Sequence, residues 1–439
     1  MRRIELTPMR CLIIATVIGL AVRLLLAPFT TSTYDVSSWA GVINGINTGE
    51  GLYETGYYWY APTWGYILSA LAPLMDALGI NVQGIVVPDL SSNDIYNATA
   101  RITVPEFNLI YKLPLILSDV LVGFALYSIV KSLKNDEHLA TVAFCLWFLN
   151  PLTIWNSSIQ GMFETLSILG MVISIACLLR GQYFFAGAGI VFSGITKLFP
   201  IILVPLMIGY IIAKHGTGRD SLKNITMSVL GGVTVFAIIF IPVALEGDFS
   251  EALAFIMNRV ESFETDVNSG FSLFQPNWNN IFAISPILFI VVIALACIMA
   301  MSKRNLEHRF MLLAAVTMCI LFAWPFFPPY HQYALNMVPL MILAYCMGSR
   351  YLLTPPLVLT SLVFFLAALF WMGPEMLYPL AAGDMVSFDT IGHWMDVFKQ
   401  PMLQISEKME YIKFIPALMA LVMIAMRIVM DVRERRICL

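Results

Sequence analysis

Long apolar runs separated by short polar segments repeat along almost the whole chain. A transmembrane helix needs roughly 20 mostly apolar residues, and about twelve stretches approach that length. The pattern therefore predicts an all-α polytopic membrane protein with about 12 transmembrane helices. The predicted spans are 10–28, 107–130, 139–156, 162–179, 183–196, 198–213, 225–245, 284–301, 309–327, 333–347, 353–372 and 411–430.

The composition supports the same fold class. The 439 residues are 59% hydrophobic and 12% charged, with a mean hydropathy of +0.80. Water-soluble domains carry about 25% charged residues. We therefore expect a single integral membrane domain over residues 1–439 with no large soluble domain. The seven cysteines form no CxxC pair and are expected to be small buried hydrophobes.

A thirteenth apolar run, 62–80, is interpreted as a helix lying in the outer leaflet. Only if it does not cross does the basic charge fall on the cytoplasmic side throughout. Both termini are then cytoplasmic, the first span is a retained signal anchor, and 29–106, 246–283 and 373–410 are outer segments. The basic residues that mark the cytoplasmic side are Arg2, Arg3, Arg10, Lys131, Lys134, Arg180, Lys214, Arg219, Lys223, Lys303, Arg304, Arg309, Arg350, Arg427, Arg433, Arg435 and Arg436.

Asp35 is the first candidate for chemistry, because it follows the first span by a few residues. The chain has no Walker A loop, HExxH, GxSxG or Cys/His cluster, so a reaction would have to use an already activated substrate. Asp35 is either a catalytic base at the lipid–water boundary or a solvated acid at the start of a helix over 36–47. The aromatic residues that follow, including Tyr60, fit either sugar stacking or an interfacial aromatic belt.

Four further charged residues fall within or beside predicted spans. Lys112 and Asp119 lie two helical turns apart, and intramembrane charges cost about 2.5–3.5 kcal/mol each. A structural pairing through other helices and a functional role both stay open for them. Glu164 is either a favourable acid at a helix start or part of a site. Lys197 either reaches towards lipid headgroups or contacts a lipid phosphate.

His331 is the remaining candidate, on a predicted outer turn between two spans. A structural role and a role in the site are both open for it. It stands within the sequence Tyr330-His331-Gln332-Tyr333, so its neighbours are candidates for the same site.

Six motifs follow one another along the chain: TYDVSSW, YAPTWGYIL, KLPLILSDVLVGFALYSIV, NPLTIWNSSIQGMFETLSIL, GITKLFPIILVPL and YHQYALNMVPLM. Taken in this order, they resemble the GT-C superfamily of polyprenyl-phosphate-sugar-dependent glycosyltransferases. Within it, the likeness is to the catalytic subunit of GPI mannosyltransferase I and to prokaryotic polyprenol-phosphate-mannose-dependent mannosyltransferases. It covers roughly residues 30–345, and residues 350–439 lie outside it.

The resemblance implies a role for each candidate residue. Asp35 would be the general base, and Lys197 and His331 would bind the donor phosphate. The GPI-type enzymes carry Asp-x-Asp, whereas Thr33 holds the first position here, which puts a two-carboxylate metal site in doubt. No cofactor is therefore expected, with a divalent cation as the open alternative. The other substrate-binding candidates are Glu164, Tyr60, Tyr330 and Gln332.

The function implied is inverting transfer of a sugar, expected to be mannose, from a dolichyl- or polyprenyl-phosphate donor to a glycolipid or lipid-linked glycan. The expected location is a prokaryotic cell membrane or, alternatively, the endoplasmic reticulum membrane, with the site on the outer or lumenal face. An accessory membrane subunit is an open option. A transporter or flippase is the alternative, favoured by the broken region near Lys197 and Pro200. A non-catalytic subunit of a glycosylation complex is the third hypothesis.

Overall fold

The computed structural model describes residues 7–86, 101–254, 286–323, 331–412 and 414–433, and these are almost entirely helical. A pair of two-residue antiparallel strands, β1 (Ile85–Val86) and β2 (Arg101–Ile102), sets Ile85 opposite Ile102. The all-α prediction is confirmed. The α-helices are α1 (Pro8–Leu26), α2 (Thr33–Asn47), α3 (Pro62–Ala77), α4 (Pro105–Lys134), α5 (Glu137–Phe148), α6 (Pro151–Ile154), α7 (Glu164–Leu179), α8 (Tyr183–Thr196), α9 (Val204–His215), α10 (Arg219–Glu246), α11 (Pro286–Ala300), α12 (Leu306–Ala323), α13 (Met337–Ala344), α14 (Arg350–Met372), α15 (Tyr378–Ala382), α16 (Phe388–Ile412) and α17 (Phe414–Arg433).

Short helices of other types interrupt this series. Two are π-helices, Trp155–Gln160 and Tyr345–Ser349. The 3₁₀ segments are Phe199–Leu203, Tyr333–Asn336 and Gly373–Leu377. Proline marks several starts, since it lacks the N–H that a first helical turn leaves unused: Pro8, Pro62 and Pro105 open α1, α3 and α4.

The described residues contain four helical stretches long and apolar enough to cross a membrane. These are Pro8–Leu26, Pro105–Lys134, Arg219–Glu246 and Leu353–Ala382, and a fifth is the pair Glu137–Phe148 and Pro151–Gln160, bent by 46°. Five other apolar helices are shorter. The predicted count of about 12 spans is therefore not confirmed. The apolar helices, with exposed Val17 and Leu25 on α1 and Leu230 and Ile238 on α10, fit a membrane-embedded protein.

The run at 62–80 forms α3, which packs against α2 and α4. Trp64, Leu68 and Ala72 are fully buried along its inner face. Together with Trp39 of α2 and Phe107 of α4 they form a second core beside the main bundle. This packing fixes the first loop as a folded layer on the helices. Most of the predicted outer segment 246–283 lies outside the described residues.

Close helix contact is clearest between α8 and α10. A Cβ atom added to Gly187 would lie 1.7 Å from the carbonyl oxygen of Ser228. Only glycine permits this approach, and small residues at helix contacts are typical of membrane bundles.

A buried ion pair ties α1 to α4. Arg23 Nε lies 2.9 Å from Asp119 Oδ2, and both side chains are fully buried. Arg23 also donates to the carbonyl oxygen of Phe148, and Ser157 Oγ donates to Asp119 Oδ2 at 2.6 Å. Asp119 is thus paired with a residue of another helix. This is the structural role that the sequence analysis left open for Asp119.

Candidate active site

The site lies where α6 ends in the π-helix Trp155–Gln160. All six residues of this π-helix are buried. It ends at Gly161, whose φ of +77° is a left-handed conformation that glycine adopts without strain. A Cβ at Gly161 would also lie 1.8 Å from the hydroxyl oxygen of Tyr111, so no larger residue fits. π-Helices often occur at functional sites.

Asp35 lies in the first turn of α2. The residue that caps this helix is Ser32 rather than Asp35, and the Ser32 hydroxyl donates to Asp35 Oδ2 at 2.9 Å. The Asp35 side chain is half-buried, so it is not a freely solvated loop acid. The backbone N–H of Ser32 donates to the carbonyl oxygen of Gln160 at 3.4 Å. This bond joins the start of α2 to the end of the π-helix.

Gln160 connects Asp35 to the residues that follow α12. Its side-chain amide acts on the Asp35 carboxylate and lowers the pKa of that group. Gln160 Nε2 donates to Gln332 Oε1 at 2.6 Å, and its Oε1 lies 3.1 Å from His331 Nε2. Because that amide oxygen can only accept, His331 donates through Nε2 in this contact. One amide thus holds the acid, the imidazole and a second amide together.

Lys197 follows directly after the last residue of α8 and is buried, 3% exposed. Its Nζ lies 3.0 Å from Glu164 Oε1, a close electrostatic contact rather than a well-directed hydrogen bond. The other carboxylate oxygen of Glu164 accepts from Asn156 Nδ2 at 3.3 Å. Lys197 is therefore a buried cation with one carboxylate partner.

Three aromatic rings surround the rest of the Lys197 ammonium. Its Nζ lies 4.2 Å from the ring centre of Phe163, 4.8 Å from that of Tyr60 and 5.9 Å from that of Tyr333. Ring faces attract a cation without taking its N–H donors in strong hydrogen bonds. These ring contacts leave the ammonium able to donate to an anion.

The surroundings of Asp35 raise its pKa from 3.8 to about 6, chiefly because burial disfavours the carboxylate. The Ser32 hydroxyl and the charge of Lys197 act in the opposite direction, and Gln160 does so more weakly. The negative charge of Glu164 adds to the rise in pKa. A carboxylate with a pKa near 6 is a stronger base than an exposed aspartate and is still ionised at neutral pH.

The aromatic residues of the first loop divide into two groups. Trp39, Tyr58 and Trp64 are buried and pack around Phe163, so they support the site as core. Tyr57 and Trp59 are 44% and 73% exposed. Tyr60, an aromatic candidate from the sequence, contacts Lys197.

The chain after residue 372 returns to the site, which the sequence did not reveal. Thr33 Oγ1 donates to Glu375 Oε1, and Lys399 Nζ lies 2.9 Å from Glu375 Oε2. The N–H of Thr31 donates to the carbonyl oxygen of Met376 at 2.9 Å. The ring of Trp371 lies 5.9 Å from that of His331. A carboxylate from the C-terminal part thus lies beside Thr33, two residues before Asp35.

The structure therefore brings six of the seven predicted site residues into one network: Asp35, Tyr60, Glu164, Lys197, His331 and Gln332. Tyr330 lies outside the described residues. Gln160, Ser32, Phe163 and Glu375 were missed. Gln160 could have been suspected from its position before Gly161 in a matched motif, whereas Glu375 offers no local signal. Across the described ranges, no group of three or more His, Cys, Asp or Glu is arranged to hold a metal ion.

The site thus holds a buried pair of acid and cation, Glu164 and Lys197, near the half-buried carboxylate of Asp35. The sequence model of glycosyltransferase family 87 matches residues 103–328, and the chain belongs to this family, which is of the GT-C type. No curated protein matches the chain. Glu164 and Lys197 lie within the matched residues, whereas Asp35, His331 and Glu375 lie outside them.

Proposed function

We propose that this glycosyltransferase moves a sugar from a polyprenyl- or dolichyl-phosphate donor to a hydroxyl of a glycolipid or lipid-linked glycan, with inversion at the anomeric carbon. The observation that carries the proposal is that Gln160 contacts His331 and also acts on the Asp35 carboxylate. The charges of Lys197 and Glu164 also act on the Asp35 carboxylate. The Asp35 carboxylate, the Lys197 ammonium and the His331 imidazole thus belong to one site.

Asp35 is assigned as the general base. It accepts the proton of the acceptor hydroxyl as that oxygen attacks the anomeric carbon from the face opposite the phosphate. The bond between the anomeric carbon and the phosphate oxygen breaks, and its electron pair leaves with the phosphate. A glycosidase uses a second carboxyl group because its leaving group is a poor one. A phosphate needs no proton, so one carboxylate suffices.

Lys197 and His331 are assigned to the departing phosphate. A lysine ammonium has three N–H donors, so Lys197 can keep Glu164 and still bind a phosphate oxygen. Its three aromatic neighbours leave those donors available. Charge building up on the phosphate in the transition state is then met by a cation that is already in place.

Mannose is the sugar we assign, on the likeness to the mannosyltransferases. The donor tail and the acceptor lipid would both reach the site from the membrane, which is supported by the apolar faces of the helices. We place the site on the outer face of a prokaryotic cell membrane, with both termini cytoplasmic. Asp35, Tyr60, Glu164, Lys197, His331, Tyr330 and Gln332 are the residues proposed to contact substrate.

The test is transfer by the purified protein given polyprenyl-phosphate-mannose or polyprenyl-phosphate-glucose with a native lipid extract. Products are identified by mass spectrometry, and the anomeric configuration by NMR. We expect Asp35→Asn to lower kcat by about 10²–10⁴-fold, the contribution of a general base. Asp76→Asn, which changes an exposed acid on α3, is the matched control and should transfer normally.

Two results would contradict the proposal. Full transfer by a folded Asp35→Asn variant would remove the base. Uptake or flipping of the lipid-linked sugar in proteoliposomes, with no new glycosidic bond, would support the transporter hypothesis instead. Activity that appears only when a second polytopic protein is added would support the accessory-subunit option.

A further inference from the structure

Lys112 is a buried cation held by backbone carbonyl groups. It lies on α4, is fully buried, and donates from Nζ to four carbonyl oxygens. These belong to Ala27 at 3.0 Å, Ser158 at 3.1 Å, Ile159 at 3.2 Å and Thr30. Within the described part of the chain, no carboxylate pairs with Lys112, and Asp119 on the same helix pairs with Arg23.

The four carbonyls belong to the two segments that lead into the site. Ala27 and Thr30 lie between α1 and α2, just before Ser32 and Asp35. Ser158 and Ile159 directly precede Gln160 on the π-helix. The two segments are also bonded to each other, because the N–H of Ser32 donates to the carbonyl oxygen of Gln160. Lys112 is the side chain that bonds to both.

We propose that Lys112 is a positioning residue that holds the segment carrying Asp35 in register with the segment carrying Gln160. The inference rests on the proposed function of Asp35. A lysine suits this task because its three N–H donors can be shared among several carbonyls that helix geometry leaves unused. The fit is close, since a Cβ at Gly161 would lie 2.9 Å from Lys112 Cε.

The consequence for Asp35 is specific. Hydrogen bonds from Ser32 and Gln160 stabilise the carboxylate and lower its pKa. If Lys112 is replaced, both donors lose their fixed position and the pKa of Asp35 rises. The other titratable groups that face Asp35 are Lys197, Glu164 and Tyr111, with His331 reached through Gln160. Lys197 and Glu164 lie on elements that Lys112 does not bond to.

The experiment compares Lys112→Met, Lys112→Gln and Lys112→Arg in the full-length protein. The readouts are the pH profile of kcat/KM and thermal stability. In the parent we expect activity to rise with pH through about 6. In Lys112→Met that limb should move up by about one pH unit, with kcat lower by about 10²-fold. Lys112→Gln keeps two N–H donors, so its pH limb and its kcat should lie between those of the parent and those of Lys112→Met. This variant provides the test if Lys112→Met does not fold.

Arg309→Met is the matched control. Arg309 is also a buried cation, 1% exposed, and it donates to the carbonyl oxygens of Met299 and Ser302. It lies in the first turn of α12, whose 18 residues span about 27 Å. This variant should lose stability while its activity rises at the same pH as in the parent.

Two outcomes separate the positioning role from the proposed function. If folded Lys112→Met and Lys112→Gln lose stability but keep the parental pH limb, as Arg309→Met does, then Lys112 is structural and the inference is wrong. Loss of activity in Asp35→Asn would still uphold the function in that event. If instead Asp35→Asn stays active, the function fails, and the positioning role fails with it.

Discussion

Lys112 and Lys197 are two buried lysines near the same site, and their surroundings are opposite in kind. Lys112 donates to four backbone carbonyls that belong to the segments before Asp35 and Gln160. Lys197 faces one carboxylate, that of Glu164, and three aromatic rings. The contacts of the Lys112 ammonium are all with backbone carbonyls of the protein, whereas for Lys197 we propose that the remaining N–H donors bind the donor phosphate.

This difference shows why a buried charge cannot be interpreted from its residue type alone. Both lysines stand at membrane-associated positions where a charge is costly and therefore has a purpose. Backbone carbonyl groups suit a lysine with a structural role, because they are fixed parts of the chain and cannot dissociate from it. Ring faces stabilise a cation weakly and from one side, which suits a group that must bind and release an anion.

Replacing Lys197 should have the largest effect, and it should distinguish the role of Lys197 most clearly from that of Lys112. We expect Lys197→Met to lower kcat/KM for the donor by about 10²–10³-fold, since losing one partner of a buried charge pair typically costs 2–5 kcal/mol. Stability should also fall, because Glu164 is left as a buried charge without its partner. The double variant Lys197→Met/Glu164→Gln should recover stability and remain inactive. Thermal unfolding and donor kinetics measure the two effects separately.

The contrast between Lys197 and Lys112 would be wrong if the double variant Lys197→Met/Glu164→Gln regained sugar transfer. Lys197 would then be a structural partner of Glu164, as Lys112 is of its carbonyls. Lys197→Arg is the informative control, since it keeps the charge but changes its shape. Partial activity in that variant with near-parental stability would support phosphate contact.

The sequence could name candidate residues that the structure brings together, but not the contacts that hold them. Asp35, Lys197 and His331 each stand in a motif whose order along the chain resembles the GT-C enzymes, and the structure joins all three through contacts with Gln160 or by charge. The all-α fold followed from the apolar runs. The number of about 12 spans stays a prediction, since 183–196 and 198–213, for example, form helices shorter than a typical span on either side of a 3₁₀ segment.

The missed features are those with no local signal. A π-helix differs from an α-helix by one residue per turn, and nothing before Gly161 in the sequence reveals it. The carbonyl groups around Lys112 are backbone atoms that any residue carries. Glu375 contacts Thr33 across more than three hundred positions of chain, in a region that resembled nothing. Such pairings depend on the packing of helices rather than on spacing.

Besides its effect on rate, the replacement Asp35→Asn should have an effect of intermediate size on stability. Its raised pKa means that the folded protein holds this proton more tightly than the unfolded chain, whose ordinary value is 3.8. The stabilising contribution is therefore complete below that value and is lost as the pH rises through about 6. Asp35→Asn should match the parent in melting temperature near pH 4 and exceed it above pH 7. A variant less stable than the parent above pH 7 would contradict the burial of this carboxylate.

Glu375 should give the smallest effect, and it tests whether the C-terminal part belongs to the site. Its ion pair with Lys399 is partly exposed, 29% and 20% for the two side chains, so the pair contributes at most about 1 kcal/mol. Glu375→Met removes both the charge and the acceptor for Thr33. If Glu375 shapes the position of Asp35 through Thr33, kcat should fall by about two- to fivefold with the donor KM unchanged. Lys399→Met is the matched control: it removes the same ion pair without altering the contact with Thr33. A loss of kcat of equal size in both variants would mean that the ion pair, and not the contact with Thr33, is what the reaction depends on.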